Sequence, residues 1–295
     1  MLHKKELLLH LNILMDDMRT FFITFLFSFL SAIMYAQGNS ISYYDWVDKS
    51  AKYIDANKLD SAAYSLQQAM RLEPANSNNP MLFLNLGIIQ RQLRLTNDAY
   101  VSFTAALSNS PEPVLVLHNR ASLLCDLNRF DEAMDDYSAI IKIDKGNAEA
   151  YYRRGLLYLE ANDKVNAEND FAKCEELDEN DLFAKLSKAL SLKLEDDWEG
   201  AEKIYTSIIN SDIKKINAYY LNRAECYVNT AKYSLAAADL RTIESSESNN
   251  PYLYILRGRV RLNQYDKFAA KADFEKAKNL GYDADLANKW IEKTK

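Results

Sequence analysis

Few residues in this chain could do chemistry, and their spacing argues against a catalytic centre. Of the three histidines in 295 residues, His118 alone lies beyond position 10. One histidine cannot build a HExxH zinc site, and no cysteine or acid stands near it at ligand spacing. Cys125, Cys174 and Cys226 are odd in number and widely separated, which suits neither a disulfide framework nor a metal pair. No glycine-rich phosphate loop or GxSxG elbow occurs. Ser211 and Lys214 match SxxK without the companion motifs that give the match meaning. The adjacent acids Asp135 and Asp136, and Asp196 and Asp197, read as solvated helix faces. The expectation is no enzyme, no metal and no cofactor. A formal net charge of −6 and a pI near 5.3 also oppose wholesale binding to nucleic acid or to an anionic membrane.

What the sequence does carry is a period. Ala62, Ala99, Ala133, Ala167, Ala201, Ala236 and Ala270 follow one another at spacings of 37, 34, 34, 34, 35 and 34. Four residues after each comes a large apolar side chain: Leu66, Phe103, Tyr137, Phe171, Tyr205, Leu240 and Phe274. Three further on stand Ala69, Ala106, Ile140, Cys174, Ile208, Ile243 and Ala277. Steps of four and three place these columns on one helical face, so the cysteines read as packing residues. Twelve residues before each alanine lies a small residue: Ser50, Gly87, Ala121, Gly155, Ala189, Ala224 and Gly258. Most are preceded, four residues earlier, by a large one. Each unit is therefore predicted as two short helices crossing closely at small residues. The five prolines, at 74, 80, 111, 113 and 251, fall at unit junctions, where helices tolerate them.

Residues 148–181, with Tyr151, Gly155, Tyr158, Ala167 and Phe171 in register, resemble the tetratricopeptide repeat family. The resemblance implies an all-α, right-handed α-solenoid of about seven hairpins, spanning 43–79, 80–113, 114–147, 148–181, 182–216, 217–250 and 251–284. Departures are local: Lys185 replaces a large apolar residue, Gln90 and Arg261 replace a tyrosine or leucine, and the last unit slips by one residue around Phe268. Residues 285–295, where Leu286, Trp290 and Ile291 share a face, are expected to close the array as a capping helix.

The start of the chain reads differently. Phe21 to Tyr35 is an unbroken apolar run behind Arg19 and ahead of a small and polar segment. That is the pattern of a secretory signal peptide over residues 1–36, with 37–42 as a linker. The run is short for a membrane span. Met34 makes the cleavage site imperfect, leaving an uncleaved anchor as the alternative. Met15 and Met18 offer later starts, so residues 1–17 could precede the true one. No cysteine follows closely enough for lipid attachment. An exported protein, periplasmic or extracellular, is expected, without a membrane span after signal removal.

Four units pair an arginine just before the small residue with an aspartate just before the large one: Arg120 with Asp136, Arg154 with Asp170, Arg223 with Asp239, and Arg257 with Asp273. These are expected to tie the two helices of each hairpin. The family resemblance implies further that first helices line a concave surface holding extended partners. Asn85, His118, Asn119, Ser122, Tyr152, Arg153, Leu156, Asn222 and Glu225 would face it. Asn85, Asn119 and Asn222 are similar in placing to the asparagine ladder of the O-linked N-acetylglucosamine transferase repeats. An amide donates and accepts, so it can grip a peptide backbone or make a local helix–helix hydrogen bond. The chaperone-type carboxylate clamp fails, because Leu84, Ile88 and Glu149 stand where lysine, asparagine and lysine are needed. The expected function is a scaffold for a peptide or protein partner. The alternatives are an envelope polysaccharide-binding accessory and a self-associating array.

Overall fold

The computed structural model describes residues 41–178, 181–211 and 216–295; the expected signal segment and most of the linker lie outside them. The described residues are helical hairpins, with no strand among them, in two packed units divided after Lys145. The first unit holds α1 (Tyr43–Asp55), α2 (Leu59–Leu72), α3 (Asn79–Gln92), α4 (Thr96–Ala106), α5 (Pro113–Asp126) and α6 (Phe130–Ile143). The second holds α7 (Ala148–Glu160), α8 (Lys164–Leu177), α9 (Leu182–Leu194), α10 (Trp198–Ser211), α11 (Asn217–Asn229), α12 (Tyr233–Ile243), α13 (Pro251–Asn263), α14 (Lys267–Asn279) and α15 (Ala284–Glu292). Within each unit every odd helix up to α13 packs on the following even one, and successive hairpins stack, as in an α-solenoid. Among the described residues no helix is long and apolar enough to cross a membrane.

Local chemistry sets the helix ends. Ser42 and Asp45 form a reciprocal capping box, and Asn147, Asp163, Asp181, Asn250, Asp266 and Asp283 each accept a backbone N–H at an N-terminus. Pro80, Pro113 and Pro251 sit in first turns, where the missing N–H costs nothing. Asn79 and Pro113 open their helices, one residue before the boundaries read from the repeat. Inside every hairpin the turn passes through one left-handed residue, five positions before the repeat alanine. These are Asn57, Arg94, Asn128, Asn162, Asp196, Ala231 and Tyr265, with φ between 54° and 62°.

The seven alanines are fully buried, and the large residues four positions on are at most 1% exposed. The two columns form the seam of each hairpin. Beyond the last hairpin, α15 lays Leu286, Trp290 and Ile291 on the same core, with Trp290 stacked 5.7 Å from the Phe274 ring.

Candidate partner-binding face

The four arginine–aspartate pairs are all bidentate. Arg120 donates to Asp136 at 2.9 and 2.6 Å, and Arg154 to Asp170 at 2.8 and 2.7 Å. Arg223 reaches Asp239 at 2.8 and 2.7 Å, and Arg257 reaches Asp273 at 3.0 and 2.6 Å. The aspartate side chains are 3–8% exposed, so these are half-sheltered forks rather than surface contacts. Each guanidinium also lies over a tyrosine ring, as Arg257 does over Tyr254 at 4.9 Å. Donating to the aspartates raises the pKa of Arg120, Arg154 and Arg223 still further.

A second set of polar links joins successive first helices. In the first unit Arg91 of α3 donates to Asp126 of α5 at 3.0 and 2.5 Å and to Ser122 at 3.2 Å. In the second, Lys193 of α9 donates to Glu225 of α11 at 2.5 Å and to Asn222 at 3.0 Å. Tyr252 of α13 donates to Glu225 at 2.6 Å, and Arg259 of α13 donates to Asn229 at 2.8 Å. The side chains of Lys193 and Glu225 are 7% and 9% exposed. A buried ion pair holds when further hydrogen bonds satisfy its remaining lone pairs and protons, which Asn222 and Tyr252 help to do. Arg91, Asp126, Lys193, Tyr252, Asn229 and Arg259 escaped the sequence reading. Arg91 and Lys193 alone carried a signal, as cations four residues after the small residue.

The nine residues expected on an accessible concave surface divide between the units and do not all lie open. In the first unit Asn85 and Asn119 are half-buried, while His118 and Ser122 are 8% exposed. The His118 ring meets Tyr137 edge-on at 5.9 Å. In the second unit Tyr152, Arg153, Leu156, Asn222 and Glu225 are 0–7% exposed, so the expectation of open side chains is corrected there. Tyr152 packs against Phe171 and Phe183, and burial pushes its hydroxyl pKa well up. Arg153 donates to Glu149 at 2.6 Å, the glutamate that breaks the clamp pattern. The asparagines act locally: Asn119 donates to the Leu115 carbonyl at 2.8 Å and Asn222 to that of Ala218 at 2.9 Å. A side-chain amide four residues along a helix reaches its own backbone more cheaply than an outside partner. Among the described residues, no group of three or more His, Cys, Asp or Glu could hold a metal.

Two family models match the chain. One described as TPR repeat matches residues 121–162, and one described as Tetratricopeptide repeat matches residues 148–181. A solved tetratricopeptide repeat protein from Parabacteroides merdae ATCC 43184 is 34% identical, with a TM-score of 0.66, over 86% of this chain and 99% of that one. The chain of the APC/C Cut9–Hcn1 hetero-tetramer is alike in fold alone, at 13% identity and TM-score 0.64, over 90% of this chain and 58% of that one. Among curated proteins, the DnaJ homolog subfamily C member 7 homolog of Dictyostelium discoideum is 28% identical over 135 residues. That match takes in 41% of this chain and spans 25% of the relative's length. With matching columns, matching hairpins and a fully covered relative at this identity, the chain belongs to the tetratricopeptide repeat family.

Proposed function

We propose that the protein is a non-enzymatic scaffold that holds a polar, extended segment of a protein partner against its first-helix face, outside the cytoplasm. Tetratricopeptide repeats generally mediate protein–protein contact. One observation carries the choice of face and ligand. All ten exposed large apolar side chains among the described residues lie outside the seven first helices, on second helices, in turns or ahead of α1. The first helices instead carry the half-buried polar side chains of Asn85, Asn119, Asn229 and Arg259. Stacking sugars needs exposed rings, whereas amides and charges suit a peptide backbone and its side chains. The polysaccharide reading is the weaker one on that ground. The apolar run before residue 37 motivates the placement outside the cytoplasm.

A photo-crosslinking residue placed singly at Asn85, Leu159 or Asn263, on first helices, tests this in cells against the same residue at Val165 or Leu235, on second helices. Crosslinks to a protein from the first set are expected. Crosslinks confined to the second set, or retention of polysaccharide alone by the purified chain, would sink the reading. Terminal sequencing of the mature chain from fractionated cells should begin near Gln37; an intact terminus in the cytosol would remove the exported placement.

A further inference from the structure

The repeat departs from its own pattern at several places, and two of the departures complement each other. In the α3–α4 hairpin, Leu86 stands where four other hairpins have the arginine and Ser102 where they have the aspartate. Ser102 donates to Gln90 at 2.7 Å instead. Beside this hairpin a wide-mouthed cavity of about 580 Å³ lies between α2, α3 and α4, lined by Met70, Phe83, Leu86 and Val101. Arg71 and Asp98 also line it. Both are exposed, and neither forms an ion pair among the described residues.

The second break is in the α13–α14 hairpin. Tyr265 occupies the left-handed turn position that Asn57, Asn128, Asn162 and Asp196 fill in four other hairpins and Arg94 and Ala231 in two. Its side chain is 90% exposed, and Phe268, at the start of α14, is 88% exposed. Asp266 and Lys267 lie between them, exposed and free of ion pairs among the described residues. A left-handed backbone disfavours a bulky side chain, and two rings in water gain nothing from the fold. Neither feature has a local reason.

We propose that the Tyr265–Phe268 edge of one chain docks in the α2–α3–α4 cavity of a second copy. The rings meet an apolar floor of a size that accepts large side chains. The charges at the two sites are complementary, Asp266 to Arg71 and Lys267 to Asp98. Edge and cavity are different surfaces, so the contact is heterologous and adds copies head to tail. The area is small, so association is weak and concentration-dependent. It uses α2, α4, the α13–α14 turn and the side of α3 that carries Phe83 and Leu86, and it needs no side chain named in the partner-binding reading.

Sedimentation velocity of the full chain, from about 5 µM to about 500 µM, a range suited to weak association, reads the outcome. The parent's average mass should rise steadily with concentration. Two variants should stay monomeric: Tyr265→Asn with Phe268→Ser at the edge, and Leu86→Arg with Ser102→Asp, which installs the missing pair in the cavity. Mixed in equal amounts, they should form a 1:1 complex that grows no further, since one intact edge meets one intact cavity. Should the second variant misfold in a thermal melt, Val101→Glu replaces it, because Val101 is 65% exposed and its loss disturbs little packing. A parent monomeric throughout overturns the proposal. So does an edge or cavity variant that assembles like the parent, or a mixture no heavier than its components.

Discussion

Gly155 and Phe171 claim one another's space: a Cβ added to Gly155 would stand 2.6 Å from Cε1 of the Phe171 ring. The same holds for Gly87 against Phe103 at 2.6 Å and Gly258 against Phe274 at 2.5 Å. Where the seam residue is Tyr137, Tyr205 or Leu240, the small residue is alanine: Ala121, Ala189 or Ala224. Gly155→Ala should therefore destabilise the chain by about 1–3 kcal/mol through overpacking. Phe171→Leu removes the opposing ring, so the double variant should lose less than the sum of the singles. Urea midpoints of the four proteins check this, and additive losses would mean that the contact is not the cause.

The bidentate pairs should matter more than ordinary surface salt bridges. Arg154→Met strands the Asp170 carboxylate, 7% exposed, beside an apolar stem. The expected cost is about 2–3 kcal/mol, the range for a sheltered charge deprived of its partner. Arg129 and Glu132 are 38% and 47% exposed, and Arg129→Met should leave the urea midpoint nearly unchanged. Equal midpoints for the two variants would place the Arg154 pair among the energetically idle ones.

These contacts differ in how far sequence reveals them. The seam columns and the Arg–Asp pairs recur at fixed offsets inside one hairpin, so periodicity alone exposes them. Lys193–Glu225 and Arg91–Asp126 depend on how far one hairpin steps along the next, which no offset within a repeat contains. The asparagine column was ambiguous for a related reason: an amide can bond to a partner or between helices, and Asn119 and Asn222 instead donate to their own helices. The left-handed turn was legible in part, through asparagine at Asn57, Asn128 and Asn162. Arg94, Ala231 and Tyr265 hide it, because their types carry no preference for that conformation.

That turn gives a stabilising change. Ala231 holds φ at 57°, where its Cβ crowds the following carbonyl oxygen. Ala231→Gly should raise stability by about 0.5–1 kcal/mol, the relief of strain exceeding the entropy gained by the unfolded chain. The control is Ala236→Gly, at a fully buried helical seam position, which should destabilise instead. A loss of melting temperature in Ala231→Gly would mean that the turn is unstrained.

The buried thiols make stability fall in alkali. Burial pushes the pKa of Cys174 from 9.0 to about 11 and that of Cys226 from 9.0 to about 12. Above pH 9 the unfolded chain releases these protons while the folded chain keeps them, so the unfolded state binds fewer protons and stability drops as pH rises. By pH 10 each thiol should remove roughly 1 kcal/mol of the stability present at neutral pH. Desolvation of Tyr152 and Tyr205 raises their hydroxyl pKa values too, which extends the loss above pH 10. The variant Cys174→Ala with Cys226→Ala should begin less stable at pH 7, since it removes packed side chains, and yet lose less between pH 8 and pH 10. Thiol labelling reads the same physics kinetically. At pH 8 both cysteines should react at the rate of local opening and reach the free-thiol rate in denaturant. Labelling of the folded chain at the free-thiol rate would show that the seam does not exclude water from these sulfurs.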